Sequence, residues 1–76
     1  MNNILKHLEA ILETGSIAAA SRRLFLSQPA LSQYVKRLEA DYEIELFDRS
    51  QTPWQLTQEG EKLLESQRQI ARIDRE

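Results

Sequence analysis

Four cations, Arg22, Arg23, Lys36 and Arg37, fall within a stretch from Thr14 through Leu38 that contains no Asp or Glu, giving it a local charge of +4. Cations gathered without counter-charges form a patch suited to an anionic partner, and a nucleic-acid phosphate backbone is the densest regular anion available. Pro29, Ser32, Gln33 and Lys36 recur at helical spacing, with Arg37 at the border of the same face. Such a surface can hydrogen-bond and neutralise charge; a solvated helix face or chance clustering has the same composition. Other chemistry is scarce. The chain has no cysteine and one histidine, His7, so it offers no disulfide framework and no Cys or paired-His metal site. No glycine-rich phosphate loop is present either. These features predict no enzyme, no metal and no cofactor.

The whole chain carries a net charge of -2 and a pI near 5.4, which weighs against a nucleic-acid partner until the charges are located. The acids lie at Glu9 and Glu13, from Glu39 to Asp48, and from Glu59 onward. Seventy-six residues make one small domain. A domain of that size buries about 60% of its unfolded surface and draws about 3–5 kcal/mol from its core, so a partner chain would help it. The N-terminal "MNNILKHLEA" is too short in its apolar run and too polar in its flanks for a signal peptide or a spanning helix. The expectation is a cytoplasmic, nucleoid-associated protein without a membrane partner.

The elements that must position the cationic face follow from period and punctuation. Ile4, Leu8, Ile11 and Leu12 predict a first helix over about 3–13, which Gly15 ends in a left-handed conformation. Ser16 caps a short second helix with Ile17, Ala20 and Leu24 inward, and Phe25 and Leu26 make a tight apolar connection. Ser27 caps a third helix whose first turn holds Gln28 and Pro29; the ring costs nothing there, because no intrahelical amide bond is lost. Leu31, Val35, Leu38 and Tyr42 make its buried stripe. Leu46 and Phe47, then Trp54 and Leu56 across a polar turn with Pro53, predict a short hairpin, with Phe47 and Trp54 as core residues. Thr57 caps a fourth helix whose apolar seam includes Leu63, Leu64, Ile70, Ala71 and Ile73, and Gly60 weakens its start. His7 is placed on a helix surface.

Helix, short helix, tight turn, longer helix and hairpin is the order of a winged helix-turn-helix, in which the third helix enters the DNA major groove. "GSIAAASRRLFLSQPALSQYVKRLE" followed by "ELFDRSQTPWQLTQEGEKLL" closely resembles the N-terminal DNA-binding domain of LysR-type transcriptional regulators, over about Leu5 to Ile70. The combination of SxxxA, SQPALS, RLE, LFxR and LTxxG at these spacings makes the resemblance specific. It implies a mainly α fold: a winged helix-turn-helix over 1–57, with a three-helix core and a two-stranded wing, then a long amphipathic linker helix over 58–76. It also implies a recognition helix at about 28–42 that places Gln28, Pro29, Ser32 and Gln33 against base edges. Gln33 suits a bidentate contact with adenine, and the Pro29 ring suits a thymine methyl. Lys36 and Arg37, with Ser27, Arg22 and the Arg49 of LFDR, then fall to phosphates, which set register and affinity. As alternatives, Ser27 serves only as a cap, Pro29 only starts the helix, and the arginines pair with Glu39 or Asp41.

The resemblance further implies a homodimer on an interrupted palindrome of double-stranded DNA, paired through Leu63, Leu64, Ile70 and Ile73. A small-molecule effector belongs to a further C-terminal domain, so the chain reads as an isolated or truncated DNA-binding region. Two departures stand out. Many relatives have Leu-Gly where this chain has Tyr42 and Glu43, so either the helix ends differently or Glu43 is strained. "SQTP" replaces a basic wing tip, which weakens minor-groove reading and leaves Gln51 or Thr52 a modest contact at most. The competing function is a winged-helix protein-interaction module that does not bind DNA specifically, supported by the net acidity.

Overall fold

A computed structural model describes residues 3–75. Helices α1 (Asn3–Thr14), α2 (Ile17–Leu24) and α3 (Gln28–Tyr42) precede strands β1 (Phe47–Asp48) and β2 (Gln55–Leu56), and α4 (Gln58–Arg75) follows. The strands pair antiparallel, Phe47 opposite Leu56 and Asp48 opposite Gln55. This is the expected winged helix-turn-helix, mainly helical with a two-stranded wing.

Each helix boundary has a local cause. Gly15 takes φ +84° and its amide donates to the Ile11 carbonyl at 2.8 Å, closing α1. Ser16 and Ser27 sit in extended backbone, and their hydroxyl oxygens accept from the amides of Ala19 and Ala30 at 3.1 and 3.2 Å. Both expected caps are present, and Pro29 falls in the first turn of α3. The helices α2 and α3 end alike. The Phe25 and Leu26 amides donate to the Arg22 and Ser21 carbonyls, and those of Glu43 and Ile44 to Ala40 and Glu39. This pairing reverses the chain through one left-handed residue, usually glycine. Here the residues are Phe25 at φ 58° and Glu43 at φ 55°.

The choice left open at Glu43 is thereby decided: the helix ends where a glycine would end it, and glutamate occupies the left-handed position. A left-handed L-residue costs about 1–2 kcal/mol, of which glycine's larger unfolded-state entropy returns about half. Glu43→Gly is therefore expected to stabilise the fold by about 0.5–1 kcal/mol. In a domain this small, that should raise the melting temperature by several degrees, checked by a thermal melt followed by circular dichroism. A lower melting temperature would mean that the Glu43 side chain contributes more than its backbone costs.

The core gathers Leu8 and Ile11 from α1, Ala20 from α2, Leu31, Val35 and Leu38 from α3, Leu46 and Phe47 beside the wing, and Leu63 and Leu64 from α4. Trp54 packs against its edge, as expected of a core residue, although it is only partly buried. Three expectations need correction. Tyr42 does not complete the buried stripe; it is 46% exposed, and Ile44, turned back by the reversal at Glu43, packs on the core instead. The tight connection expected at Phe25 and Leu26 is present, and its left-handed Phe25 is 95% exposed. His7 is half-buried, its ring 4.4 Å from that of Tyr34 on α3. Gly60 is no simple weak point, since it is buried where a Cβ would lie 2.3 Å from the Leu46 carbonyl oxygen.

Thr57 also caps α4 as expected, accepting from the Gly60 amide at 3.0 Å. The apolar seam of that helix divides in two. Leu63 and Leu64 are 8% and 3% exposed within a single chain, whereas Ile70 and Ile73 are 45% and 70% exposed. Leu63 and Leu64, two of the four residues expected to pair with a second chain, thus close the chain's own core in the first half of the seam. The packing is continuous across residue 57.

Candidate nucleic-acid interface

The helical period of α3 separates two faces. Leu31, Val35 and Leu38 point into the core, while Gln28, Pro29, Gln33, Lys36 and Arg37 are exposed and Ser32 is partly so. Gln28, Pro29 and Ser32 line one open groove together with Ile17 from α2 and Trp54 from the wing. Gln33 and Arg37 line the next along the same helix, with Ala30 and Tyr34. The predicted base-contacting residues thus lie within the first six residues of one capped helix. Lys36 and Arg37 lie one turn further on.

Ser27 has a double capacity. Its oxygen accepts from the Ala30 amide, and its exposed hydroxyl proton can still donate to an anion. Amide donors at a helix start and the positive end of the helix dipole favour negative charge at that place. Tyr34 sits beside Gln33 and Arg37 with its phenol held above the usual tyrosine range, first by burial and then by the neighbouring Tyr42. It therefore remains neutral and adds no negative charge to the face.

The other predicted phosphate contacts are dispersed. Arg22 is exposed on the last turn of α2, and its neighbour Arg23 pairs with Glu13 at 2.6 Å, not with the Glu39 or Asp41 weighed for it. Arg49 stands at the base of the wing, its guanidinium carbon 5.0 Å from the centre of the Trp54 ring and one nitrogen 3.4 Å from Glu39. The other Glu39 oxygen accepts from the Leu46 amide at 2.9 Å, so one carboxylate fixes both the strand entry and the arginine. Arg49 is thus oriented, and partly neutralised, before any partner arrives. Beyond it the tip from Ser50 to Pro53 has no cation. The Asp48 carboxyl accepts from the Ser50 hydroxyl and amide, which hold it below the usual carboxylate range, so the wing carries a fixed negative charge.

Ile17 was read as an inward-facing residue and Trp54 as core in preference to a base-stacking platform, yet both line the open groove that contains Gln28 and Ser32. Strand alternation assigns Trp54 a side but says nothing of its reach. Its bulk spans from the core edge to the surface. Among the described residues, no group of His, Cys, Asp and Glu is arranged to hold a metal ion, and no helix is long and apolar enough to cross a membrane.

Residues 3–61 match the family model described as bacterial regulatory helix-turn-helix protein, lysR family. The chain is 42% identical over 60 residues to the HTH-type transcriptional regulator MetR of Haemophilus influenzae, covering 79% of this chain and 19% of MetR. It is 39% identical over 69 residues to the HTH-type transcriptional regulator TcbR of a Pseudomonas species, covering 91% of this chain and 24% of TcbR. The chain therefore spans about a fifth to a quarter of the length of these curated relatives. Among solved structures, it resembles the CbnR DBD–DNA complex with a TM-score of 0.81 and 37% identity, over 97% of this chain and 86% of that one. The BenM DBD/benA site 1 DNA complex matches with a TM-score of 0.82 and 27% identity, over 99% and 90% of the two chains.

Proposed function

The chain belongs to the LysR family of bacterial regulatory helix-turn-helix proteins, and from that premise we propose that it binds double-stranded DNA sequence-specifically, with α3 in the major groove. The observation that carries this reading is the exposed face of α3. Uncharged hydrogen-bonding side chains at its capped start are followed by Lys36 and Arg37, with no acid on the helix before Glu39. Gln28, Pro29, Ser32 and Gln33 address base edges, and Ser27, Lys36 and Arg37 hold phosphates. Arg49 and Arg22 add backbone contacts from the wing and from α2. Arg49 contributes less than a free cation would, because Glu39 already neutralises part of its charge.

The working unit is a homodimer. Ile70 and Ile73, exposed on the second half of α4, support pairing through that helix, and their burial would supply stability that a small core lacks. Two copies of α3 then face half-sites about 34 Å apart on an interrupted palindrome. The region acts in the cytoplasm, at the nucleoid. A small-molecule effector acts through a further domain of the kind that LysR-type regulators carry after this region.

Selection of bound duplexes from a random DNA pool tests the reading. An interrupted palindrome should be enriched, and affinity for it should fall with salt by a log–log slope of about -0.9 for each phosphate neutralised. A pool that stays random, with binding insensitive to salt, would overturn DNA recognition and favour a protein-interaction module.

A further inference from the structure

The groove at the start of α3 is lined by Ile17, Gln28, Pro29, Ser32 and Trp54, none of them charged, although the helix is flanked by cations. A phosphate would gain little in such a groove. An apolar group projecting from DNA would gain more, and in the major groove the only apolar group on a base edge is a C5-methyl of a pyrimidine. We propose that Trp54 and Ile17, together with the Pro29 ring, form a seat for that methyl group, which makes Trp54 a specificity-determining residue. The proposal rests on the DNA-reading role of α3 and extends it to two residues outside the recognition helix.

The seat is held in place before DNA arrives. The Trp54 amide donates to the Gly15 carbonyl at 3.2 Å, the indole lies 5.8 Å from the Phe47 ring, and the Arg49 guanidinium carbon lies 5.0 Å from its ring centre. Pro53 packs on Gly15 so closely that an added Cβ there would lie 2.8 Å from the Pro53 Cβ. The segment that leads into β2 and bears Trp54 is thus anchored to the α1–α2 turn, close in the chain to Ile17, which lines the same groove. Ile17 is β-branched and Pro29 is a ring, so neither loses much rotamer freedom when covered. Beside them Gln28 offers both an amide donor and a carbonyl acceptor. It can meet the O4 of thymine or the N4 amino group of 5-methylcytosine, the two bases that carry the methyl.

The chain has one tryptophan, so its fluorescence reports from this groove alone. The test uses a duplex obtained by selection, with each thymine replaced in turn by deoxyuridine, which removes only the methyl, and each cytosine in turn by 5-methylcytosine. Wild-type protein should lose about fourfold in affinity at one thymine per half-site, the worth of one buried methyl, or gain about fourfold at one 5-methylated cytosine. A thymine loss assigns the seat to thymine, and a cytosine gain assigns it to methylated DNA. Trp54→Val, which keeps an apolar residue at the entry to β2, should abolish that methyl dependence. On binding, Trp54 emission should change and become shielded from a soluble quencher. If wild-type protein binds the duplex but responds to no methyl at any position, the seat is refuted and DNA reading stands. If Trp54→Val fails to fold, the methyl series and the fluorescence of unaltered protein still decide the matter. If no duplex binds at all, the DNA reading itself falls.

Discussion

Replacing Gly60 by alanine is expected to destabilise the fold by about 3 kcal/mol, although alanine is the better helix former by about 1 kcal/mol. The alanine Cβ would lie 2.3 Å from the Leu46 carbonyl oxygen, 3.2 Å from the Leu46 carbonyl carbon and 3.0 Å from the Leu56 Cδ2. The leucine methyl can swing away at little cost. The carbonyl cannot, because it accepts from the Thr57 amide at 3.0 Å and from the Thr57 hydroxyl at 3.4 Å, while Thr57 also caps α4 through the Gly60 amide. Moving Leu46 would also strain its own amide, which donates to Glu39. One methyl group therefore presses on a junction that joins the end of α3, the wing and the start of α4. In a domain whose core supplies about 3–5 kcal/mol, such a loss leaves little folded protein at 37 °C. Urea unfolding followed by circular dichroism should show a much lower midpoint or no cooperative transition. A Gly60→Ala chain as stable as the original would mean that helix propensity prevails and that the close approach at Leu46 is not tight.

That junction also shows where reading a sequence stops. Gly15, Ser16, Ser27, Pro29 and Thr57 were legible because a cap or a left-handed turn is decided within four residues of chain. Gly60 was not, since the atom that forbids a side chain there belongs to Leu46, fourteen positions earlier, just before β1. The division of the α4 seam was illegible for a related reason. Helical periodicity identifies Leu63, Leu64, Ile70 and Ile73 as one stripe, but only tertiary packing reveals that the first two are covered by the chain itself. Glu43 lay between these cases. A left-handed glutamate costs about 1–2 kcal/mol, less than the burial of Ile44 and Leu46 that the reversal allows, so local preference yields to the core.

The candidate interface divides in the same way. The face of α3 follows from a single period, so Pro29, Ser32, Gln33 and Lys36, with Arg37 at their border, were legible together, while Gln28 was added only by the family resemblance. Residues that reach it from elsewhere were not. Trp54 and Ile17 join the groove only after the wing folds back onto the Gly15 turn. The partner of Arg49 is Glu39, ten residues earlier on another element, and spacing alone could not select it among the acids nearby.

Removing both Lys36 and Arg37 should weaken duplex binding by about 10–100-fold at physiological salt and make the log–log salt dependence shallower by about 2 per chain, since each phosphate contact contributes about 0.9. Both side chains are exposed on α3 and neither has an ion-pair partner among the described residues, in contrast to Arg23, Arg49, Arg68 and Arg72. An unpaired cation has no attraction to forfeit when it meets a phosphate, so its full charge is available to displace counterions. The paired arginines must first give up a carboxylate. The loss should be uniform across DNA sequences, because phosphate contacts carry no base information. It should also leave the melting temperature nearly unchanged, since exposed and unpaired side chains contribute little to folding. Lysine and arginine exchanged at the two positions should preserve the slope while altering affinity, which separates charge from packing. Titrations of Lys36→Ala/Arg37→Ala at several salt concentrations, on a selected duplex and on a scrambled one, read all of this. An unchanged slope would mean that these cations face solvent in the complex and that α3 does not lie in the groove as proposed.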